Sequence, residues 1–165
     1  MAFDAFLYFS EKIVGETTDK VYADKKAISI YSFSWGESNP TTVGHGTGLS
    51  AGKVSISSLN VMKRVDNASP DLMMMCSNGT TIKTATLVCR KASGKDPIVY
   101  LTFTLTDVMV ESVQLSGSAG GDDYPTESVS LAFADISIDY IPQGTDGTPG
   151  KTKNYKWNLT TNVSA

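Results

Sequence analysis

From residue 3 onward apolar and polar positions alternate. Phe3, Ala5, Leu7 and Phe9 take one parity and Asp4, Phe6 and Tyr8 the other, the two-residue period of a pleated strand. Residues 28–35, Ile-Ser-Ile-Tyr-Ser-Phe-Ser-Trp, repeat the pattern. There Tyr31, Phe33 and Trp35 are expected on one face and Ser32 and Ser34 on the other. Segments 54–65, 82–90, 98–115, 128–141 and 155–163 are rich in Thr, Val, Ile and aromatic residues, the side chains that suit a pleated, half-buried surface. The chain therefore reads as mainly β.

Two of these segments are long. At about 3.3 Å per residue, 98–115 would extend over ~60 Å, far beyond an ordinary strand. In both, the alternation slips. Leu101, Phe103 and Leu105 share a parity, and Val108 and Val110 take the other, with Asp107 at the change. Val129, Leu131 and Phe133 give way to Ile136, Ile138 and Tyr140, with Asp135 at the change. One added residue in a bulge at each Asp would return the apolar face to the core. Matching slips predict two neighbouring long strands that bend together, curling the sheet into a barrel or turning a sandwich corner.

One segment departs from strand chemistry. Residues 69–79 carry Ser69 as a helix N-cap, Pro70 at the first helical position, Asp71 in the first turn and Gly79 just past the end. Leu72, Met75 and Cys76 fall at i, i+3 and i+4 and form a short apolar stripe. Met73, Met74 and Met75 cannot share one face, because successive helical residues turn by ~100°. The Met run is read as adaptable packing. A single short helix is expected to flank the sheets. Three stretches, 36–48, 116–123 and 143–150, are rich in Gly, Ser, Thr, Asp and Asn. They read as long loops, which are flexible or pack on something outside their own domain.

Composition narrows the function classes. A chain of 165 residues is expected to form one domain, 1–165, with an extended loop at about 36–48. A net charge of −3 and a pI near 5.1 speak against nucleic acid. No apolar run approaches the ~20 residues of a membrane span, so no membrane insertion is expected. The start has no basic region and carries Asp4, unlike a signal peptide. Cys76 and Cys89 are too few for a disulfide framework and fit no zinc spacing, so two free thiols in a reducing compartment are expected. Gly44, Gly46, Gly48 and Gly52-Lys53 fail as a phosphate loop: Thr47 stands where the first Gly is required, Val54 follows the Lys, and a strand follows instead of a helix. The sole histidine, His45, is flanked by glycines and lacks the rigid support a catalytic base needs. Asp122, Asp123 and Asp146 lack the spacing of a calcium loop. No catalytic residue, cofactor or metal is expected.

The ordered motifs carry a resemblance. Ile30-Tyr-Ser-Phe-Ser-Trp-Gly36, a Gly-rich stretch, and Ala51-Gly-Lys-Val-Ser55 come first. Lys63-Arg-Val-Asp66 and Ala68-Ser-Pro-Asp-Leu-Met-Met-Met-Cys-Ser-Asn-Gly79 follow. Then come Arg90-Lys-Ala-Ser-Gly94, Asp107-Val, Glu127-Ser-Val-Ser-Leu-Ala-Phe133, Tyr140-Ile-Pro-Gln143 and Trp157-Asn158. In this order they resemble the haemolysin-coregulated protein family over nearly the whole chain. The 37–46 stretch differs in having Asn39-Pro40 and scattered Thr where many relatives are richer in Gly and Met.

The resemblance implies a non-enzymatic structural subunit with a two-sheet β-barrel or sandwich, one short flanking α-helix and a fold like phage tail-tube proteins. It implies self-assembly into hexameric rings that stack as the inner tube of a type VI secretion system. A contractile sheath, a spike protein and small effectors are the implied partners. The implied route runs from the cytoplasm to the outside or a target cell without a signal peptide. Ring closure needs two different complementary surfaces per subunit. The stretch Gly36, Glu37, Ser38, Asn39, Pro40, Gly44, His45, Gly46 and Gly48 is the expected arm, with Met73 and Met74 a second contact. Ser32 and Ser34 are the expected lumen residues. The alternatives are a carbohydrate- or ligand-binding β-sandwich using Trp35 or Trp157, and a hydrolase using Asp107, Asp135 or His45.

Overall fold

The computed structural model describes residues 3–11, 13–43, 49–91, 97–121, 124–145 and 147–164. Its strands are β1 (Phe3–Phe9), β2 (Ile28–Ile30), β3 (Ser32–Ser34), β4 (Glu37–Ser38), β5 (Thr41–Val43), β6 (Leu49–Ala51) and β7 (Ser55–Ile56). They continue with β8 (Leu59–Arg64), β9 (Thr81–Lys91), β10 (Ile98–Ser116), β11 (Thr126–Ala132), β12 (Asp135–Tyr140) and β13 (Lys153–Asn158). One helix, α1 (Ala68–Asn78), lies between β8 and β9. Nine strands form one antiparallel sheet in the order β2-β1-β9-β10-β11-β8-β3, with β12 on β10 and β13 on β12.

The two ends of that path are consecutive in the chain. Only Tyr31 separates β2 from β3, and its N–H donates to Met62 O of β8 at 2.9 Å. The sheet therefore curls until its ends meet through the chain, while no continuous ladder closes it into a barrel: β2 pairs with β1 and β3 with β8. Inside sit Ala5, Leu7, Phe9, Ile28, Ile30, Leu59, Val61, Ile82, Leu87, Phe103, Leu105, Val108, Val129, Leu131 and Ile136.

The slip at Asp107 is present, and its device is different from the expected bulge. Phe103 and Leu105 are buried before it and Val108 and Val110 after it. The ladder to β9 keeps register across the change, Thr106 opposite Thr84 and Val108 opposite Ile82. Asp107 instead adopts φ +51°, a left-handed conformation that Asp tolerates better than most residues. The far neighbour of β10 changes at the same point, from β12 along Leu101–Thr106 to β11 along Met109–Ser116. β11 and β12 are separate strands broken at Phe133 and Ala134, so the expected bulge at Asp135 is a strand break. Ala134 N–H bonds Thr106 O at 3.0 Å across the bend. Register shifts do occur in β10, between Val99 and Leu101 against β9 and between Val110 and Ser112 against β11.

The first connection, residues 10–27, is a strap over the outer face of β1 and β9. Tyr22 stacks on Phe6 at 4.5 Å, and Arg90 of β9 lies 4.9 Å from the Phe6 ring and 5.6 Å from the Tyr22 ring. Arg90 also pairs with Asp4 at 3.2 Å and with Asp19 of the strap. At Gly15 the strap passes so close to β2 that a Cβ would lie 2.2 Å from Ala27 O.

α1 begins two residues earlier than its sequence cues, with Ala68 and not Pro70 as its first residue. Ser69 is inside the first turn and buried. The cap works through Asp66, whose Oδ1 accepts from Ala68 N–H at 3.0 Å, while Ser69 Oγ accepts from Asp66 N–H at 3.0 Å. Gly79 ends the helix at φ 65° and donates to Met75 O. Leu72 is fully buried, with Met75 and Cys76 half-buried against the core. Cys89 is buried, and that burial pushes its thiol up to about 11.

Candidate functional site

The described part of the Gly-rich stretch 36–48 is a ribbon and not the irregular loop expected. β4 pairs with β7, Glu37 opposite Ile56, and β5 pairs with β6, Thr41 opposite Ala51 and Val43 opposite Leu49. Thr, Val and Ile at these places supply strand chemistry that the glycine count obscured. Gly44, His45, Gly46 and Gly48 lie outside the described residues. Gly36, Glu37, Ser38, Asn39 and Pro40 are all exposed, so the ribbon leaves the sheet as an arm with little packing at its root.

Three sets of bonds aim that root. Ser57 Oγ accepts from Gly36 N–H at 3.0 Å and donates to Gly36 O at 2.9 Å. Gly52 N–H donates to Pro40 O at 3.0 Å. A Cβ on Gly52 would lie 2.8 Å from Pro40 Cγ, so the two arm strands approach this closely only with glycine there. Tyr155 of β13 donates its hydroxyl to Glu37 Oε2 at 2.6 Å. Burial, then the bond to Glu37 and its charge, push the Tyr155 phenol up to about 12.

Ser32 and Ser34 are exposed on the outer face of β3, as expected, and Phe33 and Trp35 pack on the core. Tyr31 does not join them. It is exposed, because inward parity changes there from Ile28 and Ile30 to Phe33 and Trp35. Register extends the serine rows across three strands: Ser32 faces Met62, which faces Ser128; Ser34 faces Asn60, which faces Ser130. The wall β3-β8-β11 thus presents rows of hydroxyls and the Asn60 amide, with Met62 exposed among them. No described segment covers it, whereas the strap covers β1 and β9. Asn60, Met62, Ser128 and Ser130 escaped the sequence reading because only register joins them to Ser32 and Ser34.

Met74 is 63% exposed on α1 and Met73 half-buried, while Met75 turns into the core. Beneath the helix start lies a group the sequence reading missed. Lys63 and Glu127 are wholly buried and ion-paired to each other. Lys63 Nζ also donates to Asp66 Oδ1 at 2.7 Å, Arg64 O at 2.9 Å and Ser69 Oγ at 3.0 Å, and Ser69 donates to Glu127 Oε1 at 2.9 Å. This network ties β8, β11 and the start of α1 together. Its signal was a charge at inward parity in each strand, Leu59-Val61-Lys63 and Glu127-Val129-Leu131. Asp107 and Asp135 are structural: Asp107 is exposed at the bend and Asp135 Oδ1 accepts from Asn158 Nδ2 at 2.6 Å.

Comparison with known proteins agrees with this geometry. The profile described as "Type VI secretion system effector, Hcp" matches residues 6–140. The chain is 41% identical to protein hcp1 of Pseudomonas aeruginosa over the full length of both. A solved structure of a type six secretion system protein superposes with a TM-score of 0.91 at 35% identity, covering 98% of this chain and 99% of that one. Hcp1 from Salmonella typhimurium gives 0.81 at 33% identity, covering 100% of each. An arm rooted beside a bare polar wall, on a bent sheet of this order, is accordingly carried by a chain that belongs to the Hcp family of type VI secretion proteins.

Proposed function

We propose that this chain is the subunit of a type VI secretion inner tube, closing into rings of six that stack and are expelled, with small effectors carried in the lumen. The observation that carries the reading is the division of the outer wall. One part, over β1 and β9, is sealed by the strap and its aromatic stack; the other, β3-β8-β11, is bare and lined by Ser32, Ser34, Asn60, Ser128 and Ser130. A wall in which short neutral polar side chains predominate suits a lumen, since it stays wetted and offers a passing polypeptide few strong contacts. The arm, with Gly36 to Pro40 at its root and Gly44, His45, Gly46 and Gly48 beyond, is the reach toward a neighbouring copy. Met73 and Met74 supply a second apolar contact. Two unlike surfaces on each copy make a heterologous contact, which closes as a ring when its rotation divides the circle. The sheath and the spike protein are the partners at the tube's outside and tip, and the protein starts in the cytoplasm and is secreted. The chain acts as a single structural unit, without catalysis. The carbohydrate-binding alternative loses its platform, because Trp35 and Trp157 both pack against the core.

Native mass spectrometry of the purified chain tests the proposal. A discrete six-subunit peak is expected, with higher stacks at raised concentration. A monomer at micromolar concentration, seen also by light scattering, overturns it.

A further inference from the structure

Arg64 stands on the outer face of β8, in the row next to Ser32–Met62–Ser128, with Thr126 opposite it. Its guanidinium carbon lies 5.3 Å from the ring centre of Tyr31 and 5.4 Å from that of Tyr124. Both tyrosines are more than half exposed, at 52% and 57%. Among the described residues no hydrogen-bond acceptor or carboxylate engages the guanidinium. The two rings therefore hold a planar five-donor fork in place while leaving its donors free.

The clamp borders an open cleft of about 520 Å³ also lined by Glu16, Thr17, Ser29 and Asp66. Its acids are already engaged. Glu16 Oε1 accepts from Asn67 N–H at 3.1 Å, and Asp66 Oδ1 accepts from Lys63 Nζ at 2.7 Å and from Ala68 N–H. Arg64 is the only cation among the lining residues. Beside these two acids a lone phosphate has only Arg64 to hold it, whereas a carboxylate carried on a peptide also has the neighbouring hydroxyl rows to hold its chain. The fork matches a carboxylate in two-point geometry, and arginine and tyrosine are the residues that concentrate binding energy at protein surfaces.

We propose that the Tyr31–Arg64–Tyr124 clamp is an anchor on the bare wall for an acidic side chain of a carried polypeptide. The assignment rests on the reading of that wall as a lumen. The hydroxyl rows of Ser32, Ser34, Ser128 and Ser130 supply the weak contacts, and Arg64 supplies the charge selection, favouring passengers with exposed Glu or Asp.

The test is a titration of the full chain, followed by the Arg64 Nε–Hε NMR signal and the Tyr31 and Tyr124 ring signals, with three probes: an acetylated hexaglutamate peptide, a hexaserine peptide and inorganic phosphate. Hexaglutamate is expected to shift all three groups of signals, and hexaserine and phosphate to leave them in place. Affinity for hexaglutamate is expected to fall at least tenfold in Arg64→Gln. It is expected to fall similarly in Arg64→Lys, which keeps the charge and loses the fork, and to stay unchanged in Lys153→Gln. Equal shifts with phosphate, or undiminished binding by Arg64→Lys, overturn the carboxylate clamp. A folded Arg64→Gln chain that no longer gives the six-subunit peak also overturns it, since the clamp would then be a contact between copies. If the wild type itself gives no six-subunit peak, the tube reading fails by that measurement alone, and the peptide titration still decides the clamp.

Discussion

At position 63 the period of β8 calls for an apolar side chain, since Leu59 and Val61 precede it on the inward face, yet a lysine stands there. At 127 a glutamate opens the inward series of β11. The two charges meet in the core, fully buried, with Asp66 and Ser69 completing the set. Taking two ions out of water costs several kcal/mol each, and their attraction offsets this only while both are present and hydrogen-bonded. Lys63→Met alone is therefore expected to cost about 3–5 kcal/mol of unfolding free energy, because it strands Glu127 in an apolar core, and Glu127→Gln is expected to cost less, because Lys63 keeps Asp66. The double variant Lys63→Met/Glu127→Leu is expected to recover most of that loss in urea unfolding. A double variant as unstable as the sum of the singles would show that the ion pair contributes nothing as a pair. Asp107 shows the opposite relation: its slip was visible in the pattern, and its left-handed backbone was not, because apolar spacing reports which face a side chain takes and not the dihedral angle that puts it there.

Among the elements, the strap owes its place to ionic and aromatic anchors, since few of its residues reach the core. Ile13 does so, and Tyr22 and Ala27 belong to a small outer cluster with Phe6 and Val88. Asp19 pins the middle: its carboxylate pairs with Arg90 and accepts from Val21 N–H at 3.0 Å and Tyr22 N–H at 3.2 Å. The Arg90 bond, partly opposed by burial, holds the Asp19 carboxyl below its usual 3.8. A carboxyl whose pKa is lower in the folded chain binds protons more readily when unfolded. Its stabilisation is thus fully present above about 3.8 and fades as pH falls through the lower folded value. The strap is expected to become protease-sensitive and to lose amide-exchange protection at 20–27 in that acid range, before the sheet unfolds. In Asp19→Asn the same sensitivity should already be present at pH 7. Equal protection of variant and wild type at pH 7 would remove Asp19 as the anchor. The arm contrasts with the strap: its root is aimed by Ser57, Gly52 and Tyr155, and Gly36 to Pro40 at that root are exposed.

For the whole molecule, the arm and the body of the sheet are separable in their contacts. The large ladders, β9 with β10, β10 with β11 and β8 with β11, involve no arm residue. Replacing 41–51 by a two-residue turn between Pro40 and Gly52, whose backbones already bond, is expected to leave circular dichroism and the melting temperature within a few degrees of wild type. The same variant is expected to lose rings and tubes in electron microscopy if the arm is the reach between copies. Rings and tubes indistinguishable from wild type would take the arm out of assembly and leave the family membership untouched.

The sequence by itself determined the β class, the single helix with its glycine stop, the long strand β10 with its change of face at Asp107 and, through ordered motifs, the family. These are properties of local spacing and chemistry, with periods of two and about 3.6 residues that need no knowledge of neighbours. Tertiary structure alone decided the rest. Which strands adjoin placed Ser32 and Ser34 in rows with Asn60, Ser128 and Ser130, and brought Lys63 to Glu127 across 64 positions. Pairing turned a glycine-rich stretch into an arm, and parity at Tyr31 moved that ring from the core to the side of Arg64. Each depends on register between segments far apart in the chain, which is set by the summed burial of a whole wall and leaves no mark in any one segment.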